Sequence, residues 1–355
     1  MIVLVLLLLP AAMTKSLLPP REEIYSSLPW SSGPFPYVQQ QIFDEKGDID
    51  IAFVGSSHIW CGINTPYVQK ALSEKLGRQA VVRSICWGGA GFDALYFFTK
   101  DLLAHRRVHM LVFYDEFVGR RGPQLLSIRW FRFGEDAPEL AGIPAKVKVP
   151  FYFASILGIP RSLLGLIRTN VPADVFSSEK NSLENTFHAP NPAARLGSLA
   201  PRMGFNPNPN ALNQNFVAYE PQLEAQPSDV CTYSADSKSA FQFSGPPTTP
   251  WQLTFAQKFA QLATDHQAKL VMLYLPTTDE LKAKKITERE DWPSVLASDV
   301  TMLGIAPAKL FAGLSDGDIL KLYYNTGHFN VNGQELFTSL ITPALLKIYE
   351  SQTNR

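Results

Sequence analysis

The stretch IDIAFVGSSHIWCG, residues 49–62, decides the fold that this sequence predicts. Its first seven residues are mostly apolar and end in a glycine, a pattern typical of a buried strand that stops at a turn. Two serines and a histidine then precede residues that can begin a helix. Ser56 and Ser57 fit two roles: they cap the following helix, or one of them is a nucleophile at the end of the strand.

The flanking segments extend this pattern into a parallel sheet. Alternating strands and helices with short connections are predicted at 64–77, 79–85, 91–105 and 109–117. After residue 250 we predict helices at 250–267, 292–304 and 334–350 and strands at 268–276 and 308–314. The fold class is therefore α/β, a three-layer, flavodoxin-like parallel sheet over residues 50–355. The Pro-, Asn- and Ser-rich residues at about 119–250 form a large irregular insertion in this domain.

The composition argues against one class of partner. The 355 residues contain 32 Lys plus Arg and 32 Asp plus Glu without a basic stripe, so we expect no nucleic-acid partner. Cys61, Cys86 and Cys231 show neither a disulfide framework nor the spacing of a zinc site. Because no metal or phosphate-loop pattern is present either, the sequence predicts neither a metal nor a cofactor.

Residues 1–49 are predicted to lie outside the α/β domain. The apolar run from Ile2 to Met13 is shorter than the ~20 residues of a membrane-spanning helix, but its length suits a signal peptide. The Pro- and Ser-rich residues that follow it are typical of an extended tether. Two interpretations remain open. One is an export signal or membrane anchor, which would make the membrane a partner and place the domain outside the cytoplasm, in the periplasm or at the cell surface; the other is a buried N-terminal helix.

Reactive groups in open parallel sheets collect beyond the carboxyl ends of the strands. Three segments are expected there: GSSH after the first strand, CWGGAG after the second, and YYNTGHFN before the last helix. His328 in the third segment can act as the base that a serine nucleophile requires. The glycines of the second segment allow backbone N–H groups to approach a developing oxyanion closely.

Taken together, these three segments resemble the SGNH (GDSL-like) hydrolase superfamily, and more narrowly its membrane-anchored bacterial branch of acyl-transfer proteins. The resemblance covers residues 50–118 and about 250–350 and leaves out the insertion. It implies that Ser57 is the nucleophile and His328 the catalytic base. It also implies that the backbone N–H groups of Ser57 and Gly89 form the oxyanion hole.

The chain departs from the family pattern at two places. Asn325 stands where the family has the aspartate that orients the histidine, and an amide cannot match a carboxylate in stabilising an imidazolium. Asp316 or Asp318 offers an alternative orienting group. After the third strand, Asp115 and Glu116 stand where hydrolases of the family supply an oxyanion-binding Asn.

Two functions follow from these observations. The first is an exported serine esterase or O-acyltransferase that acts on an acyl ester, with an acyl-ester or glycan substrate such as a cell-envelope polysaccharide. The second is a catalytically silent SGNH-like fold that serves as a binding or assembly component of an envelope pathway. We interpret His58 as a packing residue and Asn330 as the N-cap of the final helix. The aromatic residues Trp130, Phe131 and Phe133 fit either a sugar site or the core.

Overall fold

The fold is that of a computed structural model, which describes most of the predicted domain. The described residues are 22, 25, 35–87, 89, 91–114, 122–124, 127–128, 131, 133–156, 224–233, 249–278, 296, 299–323 and 325–353. The apolar run at residues 2–13 and most of the insertion lie outside them.

A single six-stranded sheet forms the centre of the domain. Its strands are β1 (Ile49–Gly55), β2 (Val82–Cys86), β3 (Val108–Tyr114), β4 (Cys231–Tyr233), β5 (Lys269–Leu273) and β6 (Val300–Gly304). They lie in the order β2-β1-β3-β5-β6-β4, and the first five are parallel. The short β4, from the insertion, pairs antiparallel with β6 at the edge. The five parallel strands thus have the flavodoxin-like order, which confirms the predicted fold class.

Helices cover the sheet in two layers. The helices are α1 (Phe35–Gln39, continued by a π-helix at Gln40–Asp44), α2 (Ser57–Gly62), α3 (Thr65–Leu76), α4 (Phe92–His105), α5 (Phe133–Asp136), α6 (Pro250–Asp265), α7 (Pro307–Leu310), α8 (Asp316–Leu320) and α9 (Val331–Thr353). Two 3₁₀ turns lie at Ala137–Leu140 and Pro227–Asp229, and residues 145–156 are also helical. Helices α4 and α6 pack together in one layer, and α2, α3 and α9 pack together in the other. None of the helices within the described ranges is both long and apolar enough to span a membrane.

Two sequence-based predictions near β6 are wrong. A helix is predicted at 292–304, but Val300–Gly304 is a strand that pairs with β5 in parallel register, and most of residues 292–298 lie outside the described residues. Residues 308–314 were expected to form a strand, but Pro307–Leu310 is helical. A proline in the first turn of a helix has a suitable fixed φ and lacks only an N–H that would be unpaired there. The apolar run VTML is short enough to fit helix or strand, and its pairing with β5 makes it a strand.

Residues 35–49, which the sequence analysis assigns to the N-terminal segment, pack on the α/β domain. Arg106 donates hydrogen bonds to the carbonyl oxygens of Gln41 and Gly47, and Arg83 donates to the Gln41 side chain. Further towards the N-terminus, the Tyr25 hydroxyl donates to Asp101 at the end of α4. Residues 35–49 thus contact the α/β domain, whose start the sequence predicts at residue 50.

The helical part of the insertion, at residues 133–156, is anchored to the α4–α6 layer. Glu139 accepts hydrogen bonds from Tyr96 and Lys100 of α4 and from Lys258 of α6. Phe131 is buried against Phe151 and therefore belongs to the core instead of lining a sugar site. The side chains of Trp130 and Phe133 lie outside the described residues.

Candidate active site

The sequence allows the two serines after β1 to act as a helix cap or as a nucleophile, and in the structure their contacts differ. Ser56 is the N-cap of α2, and its side chain accepts a hydrogen bond from the backbone N–H of His58. Ser57 is the first residue of α2, is buried, and points its hydroxyl at His328. One serine therefore satisfies the helix terminus and leaves its neighbour available for chemistry.

The central contact of the site joins residues that are 271 positions apart in sequence. The Ser57 Oγ lies 2.8 Å from the Nε2 of His328, which is hydrogen-bond distance. Ser57 follows β1 at the carboxyl edge of the sheet, and His328 lies in the turn between α8 and α9. The geometry is that of a hydroxyl next to a general base.

Asn325 fixes the state of the His328 ring. Its Oδ1 accepts the backbone N–H groups of Gly327, at 2.9 Å, and of His328, at 3.0 Å, and lies 2.8 Å from the Nδ1 of His328. Two backbone donors require the amide oxygen, and not its NH₂ group, to face this side. Because that oxygen can only accept, the Nδ1 must carry the hydrogen. The lone pair of Nε2 then faces Ser57, which is the tautomer that a general base needs.

Burial keeps His328 in its neutral form. It lowers the pKa of His328 from its usual 6.5 to about 4, because the charged ring would lose solvation. At neutral pH the ring is therefore unprotonated and able to accept a proton. Asp318, the alternative orienting group, instead accepts hydrogen bonds from Ser315 and Lys321.

Two further aromatic rings, those of His58 and Tyr114, lie in the site, and the sequence did not predict their arrangement. His58 stacks on Tyr114, the last residue of β3, with ring centroids 5.1 Å apart and planes 12° apart. It also meets the His328 ring at a centroid distance of 4.4 Å. Burial, together with the neighbouring His328, lowers the pKa of His58 to about 3, so the His58 ring is neutral and does not act as a second base. The position of Tyr114, at the end of a strand beside β1, is the signal that could have identified it.

Gly89 follows β2 at the same edge of the sheet. The backbone ladder between β1 and β2 extends past both strands, because the N–H of Trp87 donates to the carbonyl of Gly55 at 3.1 Å. Gly89, two residues on, has a φ of +88°, which a side chain would strain. Its part in an oxyanion hole with the Ser57 N–H stays a prediction, and Asp115 and Glu116 lie outside the described residues.

The turn that carries His328 is held from three directions. The backbone N–H and the hydroxyl of Thr278, after β5, both donate to the carbonyl of Thr326. Asn330 caps α9 by accepting the N–H of Gly333, as the sequence predicts. Gln334 in α9 donates to the carbonyls of Trp60 and Ile63, which end α2. The base is thereby tied to the helix that carries the nucleophile.

No protein-family model, curated protein or solved structure matches this chain. Within the described part of the chain, no group of three or more His, Cys, Asp or Glu side chains is arranged to hold a metal ion.

Proposed function

We propose that this protein is a serine-dependent acyl-transfer enzyme, an esterase or O-acyltransferase. The observation that carries the proposal is the hydrogen-bonded series from Ser57 through His328 to Asn325. It contains a hydroxyl, a neutral base with its lone pair towards that hydroxyl, and a group that holds the base in this tautomer. These are the parts that nucleophilic catalysis by serine requires.

In the proposed reaction, the Nε2 of His328 takes the Ser57 proton while the Oγ attacks the carbonyl carbon of an acyl ester. The carbonyl electrons move to the oxygen, which the N–H groups of Ser57 and Gly89 would bind. Collapse of this intermediate expels the alcohol, which takes the proton from His328 and leaves an acyl group on Ser57. Water or a glycan hydroxyl then gives its proton to His328 and attacks the acyl carbon, and Ser57 leaves with that proton.

The substrate class and location rest on the resemblance to membrane-anchored SGNH proteins. We propose an acyl ester as donor, a cell-envelope polysaccharide as the source or acceptor of the acyl group, and an extracytoplasmic location reached through residues 1–49. A fusion of these residues to a reporter that is active only outside the cytoplasm tests the location. Reporter activity confined to the cytoplasm would leave an esterase without an envelope role.

Labelling with a fluorophosphonate probe tests the chemistry, because only an activated serine reacts. We expect the wild-type protein to be labelled and Ser57→Ala to remain unlabelled. Ser56→Ala is the matched control: it removes the neighbouring hydroxyl, which caps α2, and should retain labelling. A folded wild-type protein that resists the probe would favour the silent binding or assembly component. Labelling that persists in Ser57→Ala would assign the reactivity to another serine.

A further inference from the structure

His58 joins three separate parts of the site. It belongs to α2, directly after the nucleophile, and its ring lies parallel to that of Tyr114 at the end of β3. Its other contact is with His328, whose ring it meets at an interplanar angle of 61°. A single side chain thus touches the nucleophile helix, the neighbouring strand end and the turn that carries the base.

Gly327, in the turn that carries His328, lies close to the His58 ring. A Cβ atom added to Gly327 would lie 3.1 Å from the Cε1 and 3.3 Å from the Nε2 of His58, closer than ordinary side-chain contacts. Gly327 does not have a positive φ, so its backbone would accept an alanine. Space beside the His58 ring, and not backbone conformation, therefore favours the glycine, because an alanine would need the ring or the turn to shift slightly.

The contacts of His58 in the site are made by its ring and do not use its Nδ1. That atom is buried and has no hydrogen-bond partner among the described residues. A buried polar atom without a partner costs free energy, and a phenylalanine could form the same stack without that cost. His58→Phe therefore separates the contribution of the ring from that of its nitrogen atoms.

We propose that His58 is a positioning residue for the base, and that its neutral ring, held by Tyr114, sets the His328 ring against Ser57. This inference rests on the proposed function and deepens it. Asn325 holds the His328 ring at its Nδ1, and His58 contacts the same ring from α2. A ring held by two groups keeps its aim at the Ser57 hydroxyl. The His58 ring also excludes water from His328, which favours the neutral form of the base.

Three variants test this role with p-nitrophenyl acetate as the substrate. His58→Ala removes the ring and should lower kcat about tenfold with little change in KM, because positioning acts in the transition state. His58→Phe retains a flat ring and should keep kcat within about threefold of the wild type. Gly327→Ala crowds the ring and, by shifting the ring or the turn, should also lower kcat. The double variant His58→Ala/Gly327→Ala should be no worse than His58→Ala, because the ring that the new methyl group would meet is gone.

A second readout does not depend on turnover. The pKa of His328, followed by NMR titration, should rise from about 4 towards 6.5 in His58→Ala, because water replaces the ring, and should stay low in His58→Phe. Equal kcat and equal His328 pKa in His58→Ala and wild type would overturn the proposal. Independent, additive losses from His58→Ala and Gly327→Ala would overturn it as well. A protein that is not labelled by fluorophosphonate but shows the His328 shift would refute the proposed function and leave the positioning contact standing.

Discussion

The two ends of strand β1 carry partly buried polar networks that are built in opposite ways. At its start, the Asp50 carboxylate accepts hydrogen bonds from Arg78, from the Tyr349 hydroxyl and from the backbone N–H of Val81. At its end, Ser57 meets neutral His328, and the neighbouring His58 keeps a buried nitrogen without a partner among the described residues. The first network pairs its charge, and the second leaves a base neutral and reactive.

Burial has opposite net effects on ionisation at the two ends. Burial alone would raise the pKa of Asp50, but the hydrogen bonds from Arg78, Tyr349 and Val81 outweigh it and lower that pKa. At the other end burial dominates and lowers the pKa of His328 to about 4. A polar network in which every group is hydrogen-bonded stabilises the fold. A network with an unpaired polar atom is less stabilising, but it can leave a group available for catalysis. The two ends should therefore respond differently to mutation.

Removing the nucleophile should give the largest effect. Ser57→Ala is expected to lower kcat for p-nitrophenyl acetate by about 10⁴-fold or more, because it removes the hydroxyl that faces the Nε2 of His328. The free energy of unfolding should change by less than about 1 kcal/mol, because one small hydroxyl is lost. Steady-state kinetics and urea unfolding measure the two quantities. Residual turnover within tenfold of the wild type would exclude Ser57 as the nucleophile.

Replacing Asn325 tests how far an amide can serve as the orienting group. Asn325→Ala removes the acceptor that holds the Nδ1 hydrogen and should lower kcat by about 10³-fold, approaching the loss that a wrong tautomer causes. Asn325→Asp should raise kcat and also raise the pKa of His328, because a carboxylate stabilises the imidazolium. Kinetics over a range of pH measures both effects. If Asn325→Asp and wild type are both inactive, the silent-fold alternative gains.

The opposite response is expected at the start of β1. Asp50→Ala leaves the Tyr349 hydroxyl and the Val81 N–H without their acceptor and should reduce the free energy of unfolding by about 2–4 kcal/mol. The kcat of the folded fraction should remain within about twofold, because Asp50 lies at the opposite end of the strand from Ser57. Asp50→Asn, which keeps the shape and one acceptor, is the matched control and should cost less. A large loss of kcat in folded Asp50→Ala would show that the two ends are coupled.

As the pH falls, the titratable groups at the two ends of β1 should lose their contributions to stability in different pH ranges. The pKa values of His58 and His328 are lowered in the fold, so their contribution to stability is complete above about pH 6.5 and declines as the pH falls towards 4 and 3. Each histidine can remove at most about 1.4 kcal/mol per pH unit in that range. Asp50, whose pKa is also lowered, contributes fully above about pH 3.9 and loses its contribution only below it.

Urea unfolding between pH 8 and 4 measures this decline, and His58→Phe should make it shallower. The same titration predicts that kcat/KM retains its full value down to about pH 5 and falls with an apparent pKa of about 4, because only neutral His328 accepts the proton. An acid limb at pH 6.5 would contradict a buried, neutral base.

The sequence predicts those features of the site that depend on local patterns of residues. The run ending at Gly55 predicts β1, and the serines after it and the turn at Asn325–His328 identify the reacting groups. Contacts between distant residues were not predictable in this way. The packing of residues 35–49 depends on Arg106 reaching Gln41, 65 positions away, and the strand character of Val300–Gly304 depends on pairing with β5. The stack of His58 on Tyr114 likewise requires β3 to lie beside β1.

The smallest effect is expected from replacing Thr278, whose hydroxyl bonds to the turn that carries His328. Thr278→Val keeps the shape of the side chain and its backbone N–H bond to Thr326, but it removes the hydroxyl that donates to the same carbonyl. The loss of one such bond should cost about 0.5–1.5 kcal/mol of stability. Because the turn carries His328, kcat should fall by about two- to fivefold, while KM stays constant. Thr264→Val, which removes a hydroxyl bond within α6, is the matched control and should change stability without changing kcat. Equal kcat in both variants would show that the remaining contacts hold the base without Thr278.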